Sequence, residues 1–202
     1  MKKFEKIITG KTIIVTAETE LEPQVENLFA ILEQVDPNKL IHGFSFQVGW
    51  SVYYLHERET GKFIMTTPDY SRNPFEDTTE DLTLALWVQL EQGHFLRKIN
   101  VDGLTIKFSD KIILSKGVLE LEKIYLQRNG DVEKGDSGWY IGPVEDNNTT
   151  ELHALYAYQL LKIKPEIIQV LALPNDYIVV FEGKEIKAVL NENDVDVYKG
   201  FK

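Results

Sequence analysis

From Phe44 to His56 every second position belongs to one set: Phe44, Phe46, Val48, Trp50, Val52, Tyr54 and His56. The residues between them begin Ser45, Gln47, Gly49 and Ser51. Side chains of an extended strand alternate between two faces, so this spacing predicts one long strand with the first set buried. Such a run commits the chain to a sheet. Glu59-Thr60-Gly61-Lys62 supplies a turn, and Phe63–Thr67 is expected to return antiparallel as a hairpin. A sheet with one apolar face needs a cover. Residues 21–35 provide it, with Val25, Leu28, Phe29 and Leu32 at i, i+3, i+4 and i+7. Pro23 suits the first turn of that helix, and Asp36-Pro37-Asn38 stops it.

Upstream, Ile7-Ile8 and Thr12–Val15 flank Gly10-Lys11 and predict short strands with a turn between them. Downstream, Pro68–Pro74 reads as a loop. Thr78 to about Lys98 then reads as a helix, with Thr78 and Asp81 as its capping pair. Leu82, Leu84, Leu86 and Val88 also alternate, but the length of the segment decides for helix.

The sharpest change of pattern falls at Asn100–Gly103. Beyond it, strands are expected at Leu104–Phe108, Lys111–Ser115, Lys123–Arg128 and Gly138–Ile141. Asn129-Gly130 and Gly135-Asp136 mark turns. Asn148 with Glu151 predicts a helix start, with Leu152, Leu155, Tyr156, Leu160 and Ile163 as its core stripe. Pro165 interrupts that helix, and a short one follows over Glu166–Leu171. Tyr177–Phe181 and Glu185–Leu190 close as a hairpin around Gly183. The expected class is α+β: two small antiparallel-sheet units, residues 1–101 and 102–202, each packed with one or two helices.

The balance of 22 Lys and Arg against 32 Asp and Glu gives a net charge of −10. The excess is shared between the two halves, so it is not an acidic tail. A negative surface repels phosphates and argues against nucleic acid as a partner. The chain has no cysteine, which removes disulfides, thiol nucleophiles and thiolate metal sites. The longest apolar runs, Leu84–Val88 and Tyr177–Phe181, are far short of a bilayer span. The N-terminal residues carry charge without an apolar stretch, so no signal peptide and a cytoplasmic location are expected.

Several fragments touch on known chemistry without completing it. Gly135-Asp136-Ser137-Gly138 matches the surroundings of a serine-protease nucleophile. However, His42, His56 and His94 lack a triad context, so the fragment is expected to be a tight turn entering a strand. No histidine pair has metal-ligand spacing. Asn191–Asp196 lacks the central glycine and closing glutamate of a calcium loop. No phosphate-binding glycine loop occurs. No cofactor and no catalytic residue is expected. Two acidic stretches stand out. One holds Glu18, Glu20, Glu22, Glu26, Glu33 and Asp36; the other holds Glu76, Asp77, Glu80 and Asp81. Carboxylates at a helix start complement its dipole, which explains Glu22 and Glu80-Asp81 without a partner; the alternative reading is a docking surface for a basic protein.

The second half contains Phe108-Ser109-Asp110-Lys111-Ile112-Ile113-Leu114, then Ile124–Arg128, then Gly135-Asp136-Ser137-Gly138-Trp139-Tyr140-Ile141-Gly142-Pro143, then Ile167–Leu171. This string resembles the bacterial immunity-protein class numbered thirty-three of polymorphic toxin systems, a former domain of unknown function. The carriers are a Ser-Asp-Lys strand, an Asp-Ser-Gly-Trp turn and strand, and the Ile-Ile segment. Tyr140-Ile141-Gly142-Pro143 departs from the Arg-Phe that often follows Trp in short members. The resemblance implies a binder that neutralises a toxin without catalysis. Glu76, Asp77, Glu80, Asp81, Asp136 and Trp139 are the expected partner-binding residues, with steric occlusion as the mechanism. The rival expectation is an enzyme or small-molecule binder with a site between the halves, using Trp50, His56, Asp136 or Trp139.

Overall fold

The computed structural model describes residues 1–145 and 151–199. It is an α+β protein with two mixed sheets of six strands each. The chain divides into two compact units, Met1–Leu90 and Glu91–Lys202.

In the first unit, β1 (Lys2–Ile8) and β2 (Lys11–Ala17) form a hairpin whose turn uses Thr9 and Gly10 at positive φ. Helix α1 (Glu22–Glu33) follows, with Pro23 in its first turn. Its stripe of Val25, Leu28, Phe29 and Leu32 is wholly buried, as the spacing required. Strands β3 (Ser45–Val48), β4 (Ser51–Glu59) and β5 (Lys62–Pro68) complete the main path, in the order β1-β2-β5-β4-β3. The two-residue strand β6 (Thr78–Thr79) pairs with β5. Helix α2 (Thr83–Ile99) then contributes residues to both units. It begins later than its sequence suggests, because Thr78 and Thr79 are taken by strand pairing.

The long strand expected over Phe44–His56 is a tight hairpin. Val48 pairs with Ser51, leaving Gly49 (φ +58°) and Trp50 as the turn. A two-residue turn exchanges the parity of the face. Phe46 and Val48 lie opposite Tyr53 and Ser51, so the buried residues of β4 are Ser51, Tyr53 and Leu55 rather than Val52, Tyr54 and His56. Trp50, which continues the alternation in the sequence, is buried at the turn itself.

In the second unit, β7 (Lys111–Ser115), β8 (Lys123–Arg128), β9 (Asp136–Pro143), β10 (Leu152–Tyr156), β11 (Ile178–Glu182) and β12 (Glu185–Leu190) make a sheet in the order β10-β7-β9-β8-β11-β12. Its core includes Ile112, Ile124, Leu126, Trp139, Ile141, Val179 and Phe181. The helix expected from Asn148 onward is replaced over Leu152–Tyr156 by strand pairing, with Leu152 opposite Ser115 and Tyr156 opposite Lys111. Asn148 itself lies outside the described residues. Helical spacing in so short a stretch stabilises little on its own, and the open edge of β7 offers a full ladder of hydrogen bonds. Of the expected helix, the described residues keep a 3-10 turn at Ala157–Gln159 running into α3 (Leu160–Ile163), and Pro165–Val170 is a further 3-10 segment.

Both sheets were expected to be wholly antiparallel, yet each contains one parallel pair, β2 with β5 and β7 with β9. Parallel neighbours need a long crossover, and the chain supplies one each time: α1 with β3–β4, and β8 with its flanking loops. Leu104–Phe108 is irregular rather than a strand. Its main-chain groups are used elsewhere: Leu104 N–H donates to Ala172 O and Tyr158 N–H to Phe108 O.

Candidate functional site

The motifs that carry the family resemblance converge on one place in the second unit. Strand β8 reads Lys-Ile-Tyr-Leu-Gln-Arg, with Ile124, Leu126 and Arg128 on its buried face. The period of two thus drives an arginine inward, leaving it only 4% exposed. Its NH1 group donates to the carbonyls of Leu104 and Leu173. Its guanidinium carbon lies 5.8 Å from the centroid of the Trp139 ring. Among the described residues its Nε has no hydrogen-bond partner. Burial lowers its pKa to about 10, and the nearby charge of Asp110 opposes that shift.

Strand β9 enters beside this arginine through Asp136-Ser137-Gly138-Trp139. The backbone is bulged here: Lys111 pairs with Asp136, but Ile113 already pairs with Tyr140. Gly138 sits at φ +79°, and a Cβ on it would lie 2.3 Å from Asn129 O. Asp136 Oδ1 accepts from Gly138 N–H at 2.8 Å. Ser137 Oγ donates to Lys111 O at 2.7 Å and accepts from Trp139 N–H at 3.1 Å. The serine is 4% exposed and both of its bonds hold backbone, so the motif is structural; it is a bulge within β9 itself rather than the tight turn expected ahead of the strand, because Asp136 already pairs with Lys111. Trp139 is fully buried, its indole N–H donating to Leu171 O at 3.0 Å.

Together with the loop after β8, these residues surround an open cleft of about 300 Å³. Leu104, Asp110, Arg128, Asp131, Asp136 and Asn175 are among its lining. A second hollow of about 180 Å³ adjoins it around Asn129, Val132 and Trp139. Asp110 Oδ2 accepts from Lys107 N–H at 2.7 Å, so Asp110 and Asp136 each spend one oxygen on the backbone. A lining with one cation and three carboxylates suits recognition of polar or basic groups. Among the described residues no cluster of three or more His, Asp or Glu side chains could hold a metal.

The family is decided on the same stretch. A model of the Imm33-like domain matches residues 91–192, just over half of the chain. The chain belongs to the Imm33-like family. The resemblance read from Ser109-Asp110-Lys111 and Asp136–Trp139 is therefore borne out, and both motifs lie inside the Imm33-like domain. No curated protein and no solved structure matches the chain.

The other expected partner-binding residues lie in the first unit. Glu76 is exposed. Asp77 ties a loop, its Oδ2 accepting from Asn73 N–H and its carbonyl from Asp69 N–H. Glu80 pairs with Arg58 at 2.9 Å. Asp81 accepts from Thr83 N–H at 3.0 Å and so caps α2. The more N-terminal acidic stretch is matched by β1: Lys2 pairs with Glu22, and Lys6 with Glu26 and Glu33. Trp50 and His56, the rival candidates, are in this unit too. Trp50 is buried against Tyr70 with ring centroids 5.0 Å apart, and His56 meets His42 edge-on at 5.5 Å.

Arg128 was not singled out as a site residue by sequence reasoning. The signal was present, since Ile124, Leu126 and Arg128 alternate with polar neighbours. A charged residue on an apolar face of a central strand is costly and marks a place where something is bound or braced.

Proposed function

We propose that this chain is a non-enzymatic immunity protein that neutralises a bacterial protein toxin by occluding its working surface. Membership of the Imm33-like family carries this reading. The net charge of −10 supports a basic partner, because complementary charge speeds encounter. Glu76 and Glu80 offer accessible carboxylates for steering, while Asp77 and Asp81 also hold local backbone. Asp136, beside the cleft, is the contact residue in the family domain, with buried Trp139 supporting it from beneath. The protein acts in the cytoplasm without a cofactor, nucleic acid or membrane. No helix among the described residues is long and apolar enough to cross a membrane.

The test is growth rescue. Each gene flanking this one is expressed in a heterologous bacterial host, alone and with this chain. The reading predicts that one product arrests growth alone and that co-expression restores it. A toxic product whose effect is unchanged by abundant, folded chain, with no other flanking product rescued, contradicts the reading.

A further inference from the structure

We infer that the cleft between Leu104, Asp110, Arg128 and Asp136 is the recognition pocket for a basic peptide segment of the partner, taking one Lys or Arg side chain together with its main-chain carbonyl. This rests on the neutralisation reading and names the chemistry of its contact.

Two independent observations carry it. The first is Arg128. It is 4% exposed, and among the described residues it forms no ion pair. Its NH1 is spent on Leu104 O and Leu173 O, while its Nε has no partner among the described residues. The Nε is sealed off from the cleft, so the donor left for a ligand is NH2, which makes no hydrogen bond among the described residues, and an unspent N–H on a guanidinium wants an acceptor. Leu104, which holds this guanidinium, is itself part of the cleft wall, so the charge sits at the cleft.

The second observation is the sign of the rest of the lining. Asp110, Asp131 and Asp136 all face the cleft. Two of them satisfy one oxygen internally and keep the other for a ligand. Three carboxylates against one arginine disfavour an anionic ligand. A carbonyl oxygen satisfies Arg128 without bringing negative charge, and an ammonium or guanidinium satisfies the aspartates. A basic residue within a peptide carries both groups a few ångströms apart. Shape agrees, since about 300 Å³ accommodates one long side chain and not a folded element. The wall also includes Asn129-Gly130-Asp131 on the loop after β8, with Asn175 beside Gly130.

The probe is the capped tripeptide acetyl-Gly-Arg-Gly-amide, titrated into the 15N-labelled full chain and followed by amide shifts of Asn129, Gly130 and Asp131 and by the Arg128 Nε–H resonance. Acetyl-Gly-Glu-Gly-amide and acetyl-Gly-Gly-Gly-amide serve as controls. The arginine peptide is expected to give saturable shifts at these positions, with the two controls at least about tenfold weaker. The double variant Asp131→Asn, Asp136→Asn removes two charges while an amide oxygen can still accept from Gly138 N–H. It is expected to weaken binding about tenfold, the scale of two partly exposed ion pairs. Asp131→Lys, at an exposed loop position, is expected to do the same if the double variant folds poorly. Equal binding of all three peptides, no saturable shift at Arg128 Nε–H, or indifference to both variants overturns the inference. Growth rescue without these shifts leaves neutralisation standing and removes this pocket. Shifts without rescue remove neutralisation and leave a basic-peptide pocket.

Discussion

Replacing Gly138 by alanine is the most direct probe of the β9 bulge that shapes the cleft. Gly138 has φ +79°, where an L-residue with a Cβ is strained by about 1–2 kcal/mol. The added Cβ would stand 2.3 Å from Asn129 O, and the opposing atom is backbone, which cannot swing away. Relief requires separating the two segments, which lengthens the 2.8 Å bond from Asn129 N–H to Gly138 O. Losing that bond adds about 1 kcal/mol. The expected cost is therefore about 2–3 kcal/mol, and more for valine, whose branched side chain tolerates positive φ less well. Urea unfolding followed by the Trp139 indole N–H resonance measures it. With a slope of about 1–3 kcal/mol per molar, the midpoint should fall by about 0.7–3 M. A fall below about 0.3 M would show that the bulge relaxes freely and that Gly138 is not required by its conformation.

Ser137→Ala should destabilise by about 1–2 kcal/mol, because Lys111 O and Trp139 N–H lose their partner, while a fluorophosphonate serine probe leaves the wild-type chain unlabelled. Arg128→Met should cost about 2–4 kcal/mol in thermal or urea unfolding, since the carbonyls of Leu104 and Leu173 are left without a donor. His56 has its pKa lowered below 6.5, by burial first and then by His42 and Arg58, with Glu80 opposing. The unfolded chain then binds more protons than the folded one between the lowered value and 6.5, so stability should rise with pH across that window. A His56→Gln variant should lose that slope, as read by unfolding at a series of pH values. Reversing Glu76 and Glu80 to Lys should slow association with any toxin identified by growth rescue by about tenfold or more at low salt. The difference should shrink near 150 mM, where charges are screened within about 8 Å.

The parts of the fold that were legible from sequence are those decided by neighbours in the chain. The α1 stripe of Val25, Leu28, Phe29 and Leu32, the Gly10 turn, and the β11–β12 hairpin around Gly183 depend on local periodicity and turn chemistry. The misread parts were decided by pairing with distant chain. The apparent run from Phe44 to His56 breaks at Gly49, because the alternation of the first strand happens to continue through the turn residues. Leu152–Tyr156 has helical spacing but lies against the edge of β7, a partner some forty residues upstream. At the candidate site, Asp136 and the Asp-Ser-Gly turn were visible as a motif. Trp139 reads as a contact residue in a string of letters, yet a period of two in β9 turns it into the core. Arg128 was hidden by the opposite habit of assigning charged residues to the surface. No local feature shows that its partners are the carbonyls of Leu104 and Leu173, at separations of 24 and 45 residues.

The central claim, neutralisation by occupancy without chemistry, is tested most directly by titrating the activity of the purified flanking toxin with this chain. Activity should fall in proportion to added chain and end at a fixed stoichiometric ratio. It should also return when the complex is separated under mild denaturant, with both proteins unmodified in mass. Complete inactivation by a small fraction of an equivalent, or a lasting change in the mass of the toxin, would contradict neutralisation by occupancy and establish an enzyme in its place.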